Sequence, residues 1–252
     1  MSRHLKLSLL AALALSVAVP AAAQDVPANI KAALADNSRP EAEAKRDAAR
    51  KPGELLAFAG VKDGDSVADF IIGGGYFTRI LSGAVGPNGK VFAYQPAEFI
   101  QFSADYGENL KKVAAARANV TANSASFGAF DLPDGLDLVL TVQNYHDLHL
   151  KPFPATAAGA INAEIFKSLK PGGVFLVVDH EAKAGADLVA TADGLHRIDI
   201  EQAKKEIEAA GFKLEAESQL LDDPSDPRTA SVFDPSIRGK TDQFVLKFRK
   251  PA

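Results

Sequence analysis

The chain has 252 residues, of which 47% are hydrophobic, enough for one sizeable core, and no internal repeat or low-complexity tract argues for more. Acidic side chains outnumber basic ones by 32 to 28, with no concentrated basic face, which argues against a nucleic-acid partner. The absence of cysteine excludes a disulfide framework and a thiolate metal site.

Arg3, His4 and Lys6 precede an apolar run from Leu7 to Val19, and Ala21-Ala22-Ala23 follows before Gln24. This is the layout of a secretory signal peptide over residues 1–23, cleaved after Ala23, and it predicts a periplasmic or secreted protein. The run falls short of the roughly 20 residues a bilayer span needs, so no stable membrane insertion is expected after cleavage. Removal takes two basic side chains and no acidic one, deepening the negative charge.

Residues 24–51 are rich in Ala, Glu, Lys and Arg and read as an extension of one or two polar helices, with Glu54 to Ala59 as a further short helix. Ser66 to Ile72 is a buried strand, and Gly73-Gly74-Gly75 turns it into a helix over Tyr76 to Val85, whose apolar residues recur at helical spacing. Lys90 to Tyr94 is the second strand, Asp105 to Arg117 a helix, Asn119 to Ala122 the third strand and Leu136 to Val142 the fourth. A helix over Pro154 to Leu169 leads through Lys170-Pro171-Gly172-Gly173 into the strand Val174 to Val178, and Glu201 to Ala210 is the last helix. Strands Lys213 to Ser218 and Gln243 to Phe248 close the chain with no helical period between them, which predicts an antiparallel pair at the edge of a parallel sheet. The long connection from Asp222 to Asp242 reads as a binding or mobile loop.

This order resembles the class I S-adenosylmethionine-dependent methyltransferases from about Pro52 to residue 252. Asp69 through Gly75 is similar to the family's first motif, Asp137-Leu138-Val139-Leu140 to its fourth-strand motif, and Leu169-Lys170-Pro171-Gly172-Gly173 to the turn before its fifth strand. Gly73-Gly74-Gly75-Tyr76-Phe77-Thr78, Asn144-Tyr145-His146-Asp147 and Leu195-His196-Arg197-Ile198-Asp199 resemble a bacterial group of exported proteins called predicted methyltransferases, whose substrate is not assigned. The resemblance implies a Rossmann-like three-layer sandwich around a mostly parallel seven-stranded sheet, closed by an antiparallel strand pair. It also implies S-adenosylmethionine as cofactor and a small molecule as methyl acceptor. Two positions depart from the pattern. Ile71 stands where the first glycine falls, and Gln95, with Glu98 the nearest carboxylate, stands where an acidic residue holds the ribose hydroxyls.

On this reading Asp69, Gly73, Gly74, Gly75, Gln95 and Asn144 hold the cofactor. His146, His149, His180 and His196 all fall at or beyond the C-terminal ends of strands, the edge where open α/β sheets bind ligands. His146 is expected as the general base, since a neutral imidazole takes a proton from an oxygen or nitrogen nucleophile near neutral pH. Tyr145, His180, His196, Arg197 and Arg238 are expected to contact the acceptor, with Asp147 a further polar group beside the base. The spacing of His146, Asp147 and His149 matches no strong zinc signature, so no metal is expected. Two rival readings are a methyltransferase-like periplasmic binding protein without catalysis and a nicotinamide-dependent oxidoreductase. The latter is opposed by the lack of the G-x-G-x-x-G spacing.

Overall fold

The structure is a computed structural model and describes residues 25–252; the expected signal peptide and its cleavage site lie outside the described residues. Seven strands form one sheet in the order β3–β2–β1–β4–β5–β7–β6. They are β1 (Ser66–Phe70), β2 (Lys90–Tyr94), β3 (Val120–Asn123), β4 (Leu136–Val142), β5 (Leu169–His180), β6 (Lys213–Ser218) and β7 (Gln243–Arg249). The first five run parallel, and β7 lies antiparallel between β5 and β6, as the missing helical crossover requires.

Strand β4 shows why the sheet is buried on both faces. Leu138, Leu140 and Val142 join one apolar layer and Val139 the other, following the alternation of side chains along an extended chain. The first layer packs Ile30 of α1 (Ala28–Leu34), Leu55 and Leu56 of α4 (Pro52–Ala59), and Ile80 and Leu81 of α5 (Tyr76–Ala84). The second takes Ile161 and Ile165 of α8 (Ala157–Ser168) and Ala203 and Ile207 of α10 (Ile200–Ala209).

The N-terminal segment folds as three short helices, α1, α2 (Glu41–Ala44) and α3 (Asp47–Arg50), and is less polar in its role than its composition suggests. Ile30 is fully buried, and a Cβ on Gly83 of α5 would lie 2.9 Å from that of Ala33, so α1 and α5 meet closely enough to need glycine there. The α2–α3 stretch is tied over the first glycine turn by polar bonds. Tyr76 donates its hydroxyl to Asp47 at 2.6 Å, Arg39 pairs with Asp47 at 2.7 Å, and Arg79 bonds both Glu43 at 2.7 Å and the Gly74 carbonyl at 2.8 Å.

Three further helices complete the fold. Helix α7 (Ala104–Ala116) matches the expected one, whereas α6 (Ala97–Phe102) and α9 (Leu188–Leu195) are additions that the apolar spacing did not reveal. A 3-10 turn over His146–His149 follows β4. The connection across 222–242 is braced rather than loose. Asp226 accepts from Arg197 at 2.8 Å and from the backbone N–H groups of Arg228 at 2.9 Å and Asp242 at 2.8 Å. Among the described residues no helix is long and apolar enough to cross a membrane.

Candidate functional site

The turn after β1 begins with an unusual backbone. Ile71 has φ of +65°, a left-handed conformation that costs a β-branched residue about 1–3 kcal/mol. The neighbouring chain enforces it: the N–H groups of Ile71 and Ile72 both donate to the Tyr94 carbonyl, at 2.9 and 3.1 Å, and the Ile71 carbonyl accepts from the Asn144 side chain at 3.0 Å. Ile71 therefore keeps the conformation a glycine would take, and its side chain adds a wall that a glycine would lack.

Gly73 and Gly74 face open space, since a Cβ on either would meet nothing within 4 Å. Gly75 differs from the expectation. With φ of +81° it ends the turn, and a Cβ there would lie 2.5 Å from Val113, so its smallness serves packing against α7 rather than the groove. The groove over Gly73 and Gly74 is also lined by Asp69, Tyr76, Phe77, Asn144 and, from the N-terminal segment, Glu43, Arg46 and Arg50.

Asp69, which is buried, and Arg50, which is half-buried, are the charged pair whose titration this groove shifts. Burial raises the Asp69 carboxyl to about 6, against the opposing effect of the Thr78 hydroxyl it accepts at 2.6 Å. Burial pulls Arg50 down to about 10, and its guanidinium sits 4.5 Å from the Tyr76 ring centre and 5.1 Å from that of Phe77. The Arg50 Nε is buried without a hydrogen-bond partner, while the side chain as a whole lines the groove.

Gln95 does not do what its position at the end of β2 suggested. It is fully buried, and its amide oxygen accepts the Gly73 N–H at 2.8 Å, so it braces the glycine turn. The nearest carboxylate, Glu98, is also engaged, accepting the Phe127 N–H at 3.1 Å. Asn144 gives both amide hydrogens to backbone carbonyls, those of Ile71 and of Val142 at 2.7 Å, leaving its oxygen as the free polar atom.

A second cavity, of about 430 Å³, adjoins the first and shares Ile71, Gln143 and Asn144 with it as a common wall. Beyond that wall its polar lining is His146, Asp147, His180 and His196, and its aromatic lining is Phe99, Phe102, Tyr106 and Phe233, of which Phe102 and Phe233 are exposed. Gln143 repeats the φ of +65° seen at Ile71, so both strained non-glycine residues beside β1 and β4 stand in the partition.

His146 is held on two sides. Its Nδ1 is 2.8 Å from Oδ1 of Asp179, and its Nε2 is 3.3 Å from both Oδ1 of Asp147 and Nδ1 of His196. Burial alone would lower this imidazole, but the Asp179 and Asp147 carboxylates outweigh it and raise it to about 10. At neutral pH His146 therefore carries a proton, which corrects its expected role as the free base. His196 is lowered instead, by burial and by the charge on His146, and is the neutral imidazole in the cavity lining. His180 is driven down to about 3 by burial and bonds the Thr241 hydroxyl through Nδ1 at 2.7 Å.

Three other expectations are corrected, and His149 proves to stand apart. Tyr145 is fully buried away from the cavity, where it accepts from Asn162 at 2.8 Å and donates to Glu206 at 3.2 Å. Arg197 is fully buried and holds Asp226 and the carbonyls of Glu181 and Ala230, which is a structural duty. Arg238 is exposed and lines neither cavity. His149, grouped with His146 and Asp147 in the sequence, turns to Glu206 at 3.0 Å, and His196 from the far end of α9 takes its place. Sequence reasoning also missed the aromatic lining and the buried Asp179; only the acidic residue directly before His180 at the end of a strand hinted at the latter.

An open, mostly parallel sheet with an antiparallel closing pair, and a glycine turn beside a polar pocket at the carboxyl edge of β1 and β4, defines the class I S-adenosylmethionine-dependent methyltransferase fold. Solved structures agree. A methyltransferase of Aquifex aeolicus dependent on that cofactor is 17% identical, with 81% of this chain and 97% of that one covered at a TM-score of 0.55. The cyclase SpnF is 18% identical over 86% and 85% of the two chains at 0.57. Aeropyrum pernix fibrillarin, solved with natively bound S-adenosyl-L-methionine, is 14% identical over 77% and 72% at 0.50. No protein-family model and no curated protein matches the chain.

Proposed function

We propose that the protein is an S-adenosylmethionine-dependent methyltransferase acting on a small molecule with an apolar or aromatic body and an ionisable oxygen or nitrogen. The observation that carries this reading is the shared wall: a groove over Gly73 and Gly74 and a larger cavity lined by histidines meet at Ile71, Gln143 and Asn144. Two ligands bound side by side at such a junction bring their reacting ends together, and alignment is most of what a methyl transfer demands.

The residues of the groove suit a zwitterionic cofactor. Arg50 and Arg46 would take its carboxylate, Asp69 would face its cationic end, and the open faces of Gly73 and Gly74 leave room for its body. When bound, the cofactor supplies a methyl carbon already made electrophilic by its sulfonium. The chain then has to exclude water and manage the acceptor's proton. Phe99, Phe102, Tyr106 and Phe233 surround the acceptor's body, His196 takes the proton, and His146, fixed by Asp179, offers positive charge to the ionised acceptor atom.

Isothermal titration of the protein with S-adenosylmethionine and with its demethylated product tests the reading. Binding of both is expected, and no heat from either at millimolar concentration overturns it.

One observation favours a second reading, a fold of this class that binds a different ligand in the periplasm. Gln95 and Glu98 are both committed to backbone N–H groups, so neither is free to accept the hydrogen bonds of two ribose hydroxyls. An export signal would also separate the protein from the cytosolic supply of the cofactor. Cell fractionation with a mass measurement of the mature N-terminus distinguishes the compartments.

A further inference from the structure

The three donors that converge in the cavity lining invite a ligand of their own. Nε2 of His146 lies 3.3 Å from Nδ1 of His196 and 3.3 Å from Oδ1 of Asp147, and the last two atoms are 3.9 Å apart. Nitrogen and oxygen donors bound tetrahedrally at about 2.0–2.1 Å from a zinc ion stand about 3.3–3.4 Å from one another. The observed triangle matches that spacing on two edges, and a shift of half an ångström by the half-buried His196 ring closes the third.

We propose that His146, Asp147 and His196 bind a divalent first-row transition metal, zinc by preference, with the ion's remaining position open to the 430 Å³ cavity. Two imidazoles and one carboxylate on one side of an ion leave coordination free for a small ligand.

The surroundings of His146 are those of a metal ligand. Its Nδ1–H points at the fully buried Asp179, whose other oxygen accepts the His146 backbone N–H at 2.7 Å. A carboxylate that fixes the far nitrogen of an imidazole strengthens it as a donor, and a metal that displaces the proton held on Nε2 meets a lone pair there. That lone pair is aimed at a carboxylate oxygen and another imidazole nitrogen. A metal ion at the centre of these donors would replace the proton that His146 otherwise shares with them. Asp147 and His196 come from different ends of the fold, the turn after β4 and the C-cap of α9, and His196 adopts φ of +54° to reach the cluster. Without cysteine in the chain the site is of nitrogen and oxygen donors alone, a set that also suits cobalt, nickel and ferrous iron.

The site would take an acceptor by an oxygen atom. A hydroxyl coordinated to such an ion ionises far more readily than in water and releases its proton to solvent at the cavity, so the ion would replace both the base role of His196 and the positive charge of His146. That consequence rests on the methyl-transfer reading; the metal site does not.

The test measures metal alone, with no cofactor present. The purified full chain is stripped with chelator, equilibrated with zinc or cobalt(II) and analysed for bound metal, and the cobalt form is examined for the visible bands of a four- or five-coordinate site. One equivalent is expected. His196→Ala and Asp147→Asn should each weaken binding at least about a hundredfold, and Asp179→Asn, which touches no ion, about ten- to a hundredfold. His149→Gln should bind as the parent does. Because a variant can fail to fold, the ring protons of the unaltered protein are also followed by NMR, where zinc should move those of His146 and His196 and leave His149 in place. Absence of stoichiometric binding by the folded parent, undiminished binding in both ligand variants, or shifts confined to other histidines overturns the proposal.

Discussion

Asp179 grips His146 through both carboxylate oxygens, Oδ1 on the ring Nδ1 at 2.8 Å and Oδ2 on the backbone N–H at 2.7 Å. Both residues are buried, and Asp179 is lowered despite its burial, because the charge and hydrogen bonds of His146 outweigh the loss of water. Asp179→Asn keeps the volume but removes the charge and turns an N–H toward an N–H. It should lower stability by about 3–5 kcal/mol, the usual consequence of leaving one member of a buried pair uncompensated, read from urea unfolding.

Ile71 offers a test of strain. Ile71→Ala removes buried side-chain atoms yet keeps the left-handed backbone, and should cost about 2–5 kcal/mol. Ile71→Gly loses the same atoms and more, but recovers about 1–2 kcal/mol of backbone strain. The glycine variant should therefore unfold at a higher denaturant midpoint than the alanine one, the reverse of the order expected in ordinary extended chain. Equal midpoints, or alanine the more stable, would show that the turn relaxes.

Arg50 should discriminate between parts of the cofactor. It lines the groove, seated over Tyr76, where its guanidinium can meet a carboxylate. Arg50→Ala should weaken S-adenosylmethionine at least about tenfold while changing methylthioadenosine, which lacks the amino-acid end, by less than about twofold. An equal loss for both would place Arg50 against another part of the ligand or in the scaffold.

His180 and Asp69 pull the pH dependence of stability in opposite directions. His180 is held near 3 by burial, with His146, Arg197 and Arg50 adding to the depression and Asp179 opposing it. The unfolded chain then binds a proton below about 6.5 that the folded chain refuses, so stability falls by about 1.4 kcal/mol for each pH unit from 6.5 toward 3. Asp69, raised to about 6, works the other way: between 3.8 and 6 the folded chain binds the extra proton, and stability falls as pH rises through that window. From about pH 4 to 6 the two slopes oppose each other. Relative to the parent, His180→Asn should gain stability as pH falls through this range, and Asp69→Asn should lose it. Parallel curves for parent and variants would contradict the assigned shifts.

Much of this molecule was legible along the chain. The nearly all-apolar run Leu136 to Val142, the glycine turn and the missing crossover before β7 are local patterns, and each produced the expected element. Helices α6 and α9 escaped because they are short, because Phe99 and Phe102 of α6 line the cavity, and because α9 buries only Ala192 and leaves Val189 exposed. The roles of single polar residues were less legible. Arg197 and Tyr145 sit beside His196 and His146 in sequence, yet consecutive residues point in different directions, and both ended as buried braces.

The sequence by itself determined the strands, their alternation with helices and the antiparallel closing pair, because periodic burial and turn chemistry act over a few neighbouring residues. Only the tertiary structure decided that Ile71 takes a glycine's conformation, that Gln95 braces the turn, that Arg50 reaches the groove, and that His196 rather than His149 joins His146 and Asp147. Those outcomes depend on which distant side chains arrive within hydrogen-bond range and on how much water they lose there. Both are set by the packing of separate elements rather than by any spacing along the chain.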